Sequence, residues 1–130
     1  MNLEYLEDPS ARSAPVLLLY GASVGEVEAL RTAVDAVAGG DTASELRLDA
    51  LPGFTGIDGC SLVGRVGGSD LGVERSAVAP LAFQCVLSSS GWQRVLGLLE
   101  PFLVALEGTH FQYLTEVGAV DWIISTSRGW

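Results

Sequence analysis

The segment 88–106, SSSGWQRVLGLLEPFLVAL, places the strongest constraint on how this chain folds. Its large side chains recur at spacings of three and four residues, which together form one face of an α-helix. Leu98 and Val104 widen that face beyond the usual arc of about 100°. A helix this apolar must be covered on most sides, so we expect the other elements to pack around it. The recurring residues are Trp92, Val95, Leu96, Leu99, Phe102, Leu103 and Leu106.

The two ends of this helix carry further signals. Ser90 and Gln93 have the spacing of a capping box at its start, and Gly108 is a typical stop. Pro101 lacks a backbone N–H and clashes with the preceding turn. We therefore predict a kink or a restart of the helix near Glu100.

A second helix is predicted in the first third of the chain. Residues 16–20 form a continuous apolar run, which is typical of a central strand buried on both faces. Ser23 and Glu26 follow at capping-box spacing, and apolar residues at helical spacing continue to the Gly39-Gly40 pair. This part of the sequence predicts a strand followed directly by an amphipathic helix.

The remaining strands are predicted from alternation and turn signals. Residues 45–50 alternate polar and apolar side chains, and residues 81–87 place apolar side chains on one face. Glycine-rich residues 67–70 separate two short runs, which predicts a hairpin over residues 60–74. Residues 110–115 and 120–126 predict a second hairpin.

These elements predict an α+β fold of two layers in the order βαββββαββ. We expect a mostly antiparallel sheet of about seven strands with both helices packed on one face. Residues 1–14 are predicted to be a flexible N-terminal arm, and residues 15–130 a single domain. No repeat is visible in the sequence, although the two β-α-β-β segments are candidates for a structural repeat.

The composition favours a cytoplasmic protein with some apolar surface covered by a partner or a second copy. Hydrophobic residues make up 48% of the 130 residues, and the mean hydropathy is +0.37. Glu100 and Pro101 interrupt the best candidate for a membrane span. The first ten residues are acidic and lack the basic region of a secretory signal.

The charge balance indicates a protein partner. The chain has 7 basic residues, all arginine, against 16 acidic residues, for a net charge of −9. Nucleic acids and anionic membranes must be neutralised by Lys and Arg, so neither is an expected partner. An acidic surface instead favours solubility and attraction to a basic protein.

Four residues are candidates for chemistry, and each has a simpler structural role. Ser23 lies in a G-x-S-x-G pattern, but it is better placed as a helix cap than as a nucleophile. His110 is the chain's single histidine and lacks neighbours for a metal site. Cys60 and Cys85 share no metal-type spacing and are expected to be free and buried. We therefore predict no catalytic residue, no metal and no cofactor, and a protein that is not an enzyme.

The C-terminal part resembles a known class of proteins. LAFQCVLSSSGWQRVLGLLEPFL and GTHFQYLTEVGAVDWIISTSRGW, within residues 81–130, are similar to small bacterial immunity proteins of polymorphic-toxin systems. The similarity is a helix of the W-x-x-V-x-G-L-L-x-P-F kind followed by a hairpin of the H-x-Q-Y-L … I-S-x-x-x-G-W kind. It implies a non-enzymatic inhibitor that binds and blocks a cognate toxin domain, such as a basic nuclease.

Five residues are our candidates for binding that partner. Acidic side chains around an aromatic anchor would supply electrostatic steering and a desolvated centre. The alternative for each acidic residue is a solvated strand edge. The alternative for the whole protein is a homo-oligomeric binding or scaffold protein with an unknown ligand. The candidates are Asp70, Glu74, Glu116, Asp121 and Trp122.

Overall fold

The computed structural model describes residues 1–7, 13–41, 43–105 and 107–128. Within these residues the chain forms two α-helices and nine β-strands, which confirms the predicted α+β class. The helices are α1 (Val24–Ala38) and α2 (Ser89–Leu99). The strands are β1 (Asn2–Leu6), β2 (Val16–Tyr20), β3 (Glu45–Arg47), β4 (Thr55–Gly56), β5 (Ser61–Val66), β6 (Gly72–Arg75), β7 (Ala82–Leu87), β8 (Phe111–Thr115) and β9 (Asp121–Ser125).

The strands of the described residues form two mixed sheets, whereas the sequence predicted one mostly antiparallel sheet of about seven strands. The first sheet has the order β4-β1-β2-β9-β8, and the second has the order β3-β5-β7-β6. The predicted hairpin over residues 60–74 is wrong, because β7 lies between β5 and β6. β5 and β7 pair in parallel, and this pairing joins segments that local turn signals cannot relate.

The predicted N-terminal arm is wrong for its first residues. β1 pairs with β2 in antiparallel orientation along its whole length, and Leu3 is fully buried. The backbone amine of Met1 donates to Glu26 and to the carbonyl oxygen of Gly53, which ties this strand to the start of α1. Residues 8–12 of the predicted arm lie outside the described residues.

The two sheets are related by a structural repeat. The first repeat contains β1, β2, α1, β3 and β5 in that order. The second repeat contains the equivalent elements β6, β7, α2, β8 and β9. Each sheet takes its first two strands from one repeat and its last two from the other, giving β1-β2-β9-β8 and β6-β7-β5-β3. The central pair is parallel in both sheets, and the flanking pairs are antiparallel. The two β-α-β-β segments are therefore structurally equivalent, as the sequence suggested.

The helices begin and end for identifiable reasons. The predicted capping box at Ser23 is confirmed, because its hydroxyl accepts from the Glu26 N–H while the Glu26 carboxylate accepts from the Ser23 N–H. The cap of α2 is Ser88 and not the predicted Ser90. A 3-10 turn, Glu100–Leu103, replaces the α-helix at Pro101, as expected from the missing N–H.

Most buried apolar side chains of both sheets and both helices belong to one hydrophobic cluster. Trp92 of α2 lies directly on Gly64 of β5, where any larger side chain would collide with the indole ring. Its Nε1–H donates to the carbonyl oxygen of Arg65, and its ring meets Trp122 of β9 edge-on at 6.4 Å. The apolar helix is thus covered as the sequence predicted, and α1 and α2 pack against each other.

Candidate functional site

The structure brings the two predicted acidic segments together. The turn between β8 and β9 packs against the free edge of β6, where Val120 forms an antiparallel bridge with Val73. Gly72 and Gly118 permit this contact, since both have positive φ angles and a Cβ on either would overlap the opposite backbone. The segments 70–74 and 116–121 therefore meet at one place on the surface.

Asp70 has a structural role that the sequence did not indicate. Its Oδ1 atom accepts hydrogen bonds from the Ser88 N–H and the Ser88 hydroxyl, both at 2.8 Å. These two hydrogen bonds hold the pKa of the Asp70 carboxyl below its usual value, and the bond from the Ser88 N–H has the larger effect. A side chain at Gly91 would collide with the same carboxylate. Asp70 thus completes the cap of α2, and we place it in the scaffold of the site.

Glu116 and Asp121 lie together beside β6. Glu116 is exposed, while Asp121 is partly buried at the first position of β9. Burial, with a smaller contribution from the Glu116 charge, raises the pKa of the Asp121 carboxyl. This pair concentrates negative charge at the turn.

Glu74 is exposed on β6, on the side of the second sheet that faces away from the core. Its register partner is Gln84, while its neighbours in sequence, Val73 and Arg75, lie opposite the core residues Cys85 and Phe83. The Arg75 guanidinium stacks over the rings of Tyr5 and Phe83.

Trp122 is not a surface anchor, contrary to the prediction. Its side chain is 0% exposed, and it belongs to the hydrophobic core beside Trp92. Position 122 pairs with Leu17 in the first sheet, where β9 lies between β2 and β8. The indole Nε1 has no hydrogen-bond partner among the described residues.

Two exposed apolar residues lie where the segments 70–74 and 116–121 meet, and they were not predicted from the sequence as site residues. Leu71 is 52% exposed and Val117 is 44% exposed, and their backbone segments are in direct contact. Isolated apolar residues in turns give no periodic signal, so only the tertiary contact identifies them. We call Leu71, Glu116, Val117 and Asp121 the 71/117 surface.

A pocket of about 390 Å³ lies elsewhere, at the carboxyl ends of the parallel strands β2 and β9. Ser23 and Thr126 line it, together with core residues such as Val27 and Ile124. The Ser23 hydroxyl is occupied by the cap of α1, and the ring of His110 bonds to the Glu107 carbonyl oxygen. No hydrogen bond joins Ser23 to His110 among the described residues.

The two cysteines are free and buried, as predicted. Burial raises the pKa of the Cys60 thiol to about 11 and that of the Cys85 thiol to about 12. Thiols with such values are protonated at neutral pH, so they are poor nucleophiles and poor metal ligands.

In the part of the chain that the structure describes, no three side chains of His, Cys, Asp or Glu cluster as metal ligands would. No helix of that part combines the length and the apolar character needed to cross a bilayer. A comparison of the chain with protein-family models, curated proteins and solved structures gave no match.

Proposed function

We propose that this protein is an immunity-type inhibitor that binds a cognate bacterial toxin domain in the cytoplasm and blocks it by contact alone. The observation that carries the proposal is the 71/117 surface. There the contact between the β8–β9 turn and β6 places exposed Leu71 and Val117 beside the carboxylates of Glu116 and Asp121. Exposed apolar groups with a charged rim are typical of protein-binding sites.

The charge of the chain supports a basic partner. At −9, the protein attracts positive surfaces and accelerates their association at low salt. A nuclease toxin presents a positive cleft for phosphates, which is a suitable target for such a surface. A nucleic acid or an anionic membrane would be repelled by the same charge.

In the proposed complex, the apolar side chains and the acidic side chains of this surface would contribute in different ways. Leu71 and Val117 would lose their remaining contact with water on binding, which supplies affinity. Glu116 is exposed and would act mainly on the association rate and its salt dependence. Asp121 is partly buried already and would contribute through the position of its charge.

A binding measurement tests this proposal. The probe is the purified polypeptide encoded by the gene adjacent to that of this chain. Val117→Asp should weaken its binding at least about 30-fold, which corresponds to a loss of about 2 kcal/mol at a hot spot. Glu116→Arg should lower the association rate and its dependence on salt.

Matched control variants are available elsewhere on the surface. Val104 is 60% exposed, so Val104→Asp introduces the same change as Val117→Asp at a distant site. Glu28 is exposed on α1, so Glu28→Arg matches the charge change of Glu116→Arg. The proposal is wrong if the probe does not bind, or if the control variants weaken binding as much as the test variants.

A homo-oligomeric binding or scaffold protein is the second candidate. Large apolar side chains are exposed at several separate positions, and a second copy would cover some of them. Self-association of the protein, combined with no binding of the neighbouring gene product, would favour this candidate. The exposed residues are Leu71, Val78, Val104, Phe111 and Val117.

A further inference from the structure

The outer face of the second sheet carries an ordered row of side chains. Strand pairing places Arg47 beside Val63, Val63 beside Gln84, and Gln84 beside Glu74. The row crosses β3, β5, β7 and β6 in that order, from a positive end through an uncharged middle to a negative end. Alternation along the strands directs this row away from the core, because Leu46, Leu62, Cys85 and Val73 face inward.

The same face is close to electrical balance, in contrast to the rest of the chain. Glu45 and Arg65 form the adjacent row, continued by Val86, so the strands of this face carry two positive and two negative side chains. Asp49, just after β3, pairs with Arg47 at 3.6 Å and brings the sum to −1, whereas the whole chain carries −9. A second copy of this protein would be repelled by most of its surface, but not by this face.

We propose that the outer face of the second sheet binds the same face of a second copy of this chain. A two-fold axis between the two sheets and parallel to their strands would reverse the row. Arg47 of each copy then lies opposite Glu74 of the other, and Val63 lies opposite Gln84. An interface of this type is self-complementary, as two-fold symmetry requires. The packing is that of two aligned sheets about 10 Å apart.

The second row is compatible with this arrangement. The same axis places Arg65 opposite Val86 and Glu45 opposite Gly72, so no like charges meet. Glu45 accepts hydrogen bonds from both Arg47 and Arg65, which holds the two guanidinium groups above the sheet. The side chains that must meet their partners are therefore oriented within each copy.

An exposed apolar loop beside this face supplies further contact. Val78 is 90% exposed at the tip of the connection between β6 and β7, and its neighbours Ala77, Ala79 and Pro80 are also exposed. The Ser76 hydroxyl accepts a hydrogen bond from the Val78 N–H, and the Ser76 N–H donates to the Ala82 carbonyl oxygen, so both bonds order the loop. It borders a groove of about 420 Å³ that is lined by Arg47 and Arg65 and by uncharged side chains such as Val63, Ala82 and Gln84. A second copy would cover both the loop and the groove.

Charge exchange between two positions tests the arrangement with the isolated protein. Self-association would be measured by sedimentation equilibrium up to about millimolar concentration for the wild type, Arg47→Glu, Glu74→Arg and the double variant. Each single variant places like charges opposite each other twice, and should raise the dissociation constant at least about tenfold. The double variant restores opposite charges and should recover most of that loss.

A mixing experiment gives the sharpest result. Arg47→Glu protein carries negative charges at both ends of the row, and Glu74→Arg protein carries positive charges at both ends. An equimolar mixture should therefore form a heterodimer, although each variant alone is impaired. Glu28→Arg on α1 changes the net charge as Glu74→Arg does and should leave dimerisation unaffected.

Several outcomes would overturn this inference. They are a wild type that stays monomeric over the whole range, single variants that associate normally, and a double variant or mixture that is not rescued. None of these measurements uses the neighbouring gene product. The dimer and the toxin-binding proposal can therefore fail independently.

Discussion

The two helices of this protein begin in the same way, but their caps are completed by carboxylates of different origin. In α1 the Ser23 N–H donates to Glu26, three residues ahead in the same helix. In α2 the equivalent N–H of Ser88 donates to Asp70, which lies in the connection between β5 and β6. Gly91 occupies the position in α2 that Glu26 occupies in α1, and the Asp70 carboxylate fills the space above it. One repeat uses a local cap, and the other uses a tertiary cap.

The difference shows how a structural role can be mistaken for a functional one. A local cap is visible as a sequence spacing, so Ser23 and Glu26 were predicted correctly. The tertiary cap has no such signature, and Asp70 therefore looked like a surface carboxylate in a glycine-rich turn. Asp70 is therefore not a contact residue of the proposed interface, but part of the scaffold that carries the neighbouring Leu71.

The largest expected effect is the loss of the tertiary cap. Asp70→Ala leaves two donors of Ser88 without their charged acceptor, and should lower the free energy of unfolding by about 2 kcal/mol. Ser23→Ala should cost about 1 kcal/mol, because it removes one neutral acceptor, that of the Glu26 N–H, and leaves the ion pair between Glu26 and the Met1 amine in place. Urea denaturation of both variants measures the difference. Equal losses would contradict the distinction between the two caps.

The two core tryptophans should respond differently to the same substitution. Trp92→Phe removes the hydrogen bond to the Arg65 carbonyl oxygen, and should cost about 1 to 2 kcal/mol of stability. Trp122→Phe removes an indole N–H with no partner among the described residues, so its cost should be smaller by about 1 kcal/mol. Thermal denaturation of the pair tests this order, and the reverse order would contradict the assigned hydrogen bonding.

A smaller effect concerns the pH dependence of two carboxylates. The pKa of Asp70 is lowered in the folded state, so its stabilisation is present above the usual value of 3.8 and is lost as the pH falls below it. The pKa of Asp121 is raised, so its ionisation opposes folding at neutral pH. Asp70→Asn should therefore destabilise the protein at pH 7 and converge with the wild type in acid.

Asp121→Asn should instead stabilise the protein at pH 7, with an advantage that disappears as the pH falls through the usual carboxyl range. Denaturation curves collected between pH 3 and pH 7 would measure both variants against the wild type. Effects of the same sign at pH 7 would show that the environments of the two carboxylates have been assigned incorrectly.

The sequence was informative wherever a structural signal is local. The central strand β2, helix α1 with its capping box, the Pro101 interruption and the β8–β9 hairpin were all predicted and are present. These features depend on the spacing of neighbouring residues, on fixed backbone angles or on short turns.

The errors arose where distant segments pair. The parallel alignment of β5 with β7 and the entry of β1 into the first sheet join residues that no spacing rule connects. Trp122 was misplaced because the sequence of β9 does not reveal that both faces of this strand are covered, as its burial from residue 122 to residue 125 shows. The 71/117 surface was not predicted for a related reason, since it forms only through the contact of Gly72 with the β8–β9 turn.

The affinity of Val117→Asp for the neighbouring gene product is the most direct test of the proposed function. The measurement would compare this variant with the wild type and with Val104→Asp, after thermal denaturation has shown that all three are folded. We predict tight binding by the wild type and by Val104→Asp, and binding at least about 30-fold weaker by Val117→Asp. Equal affinity of all three proteins would show that the 71/117 surface does not contact the partner.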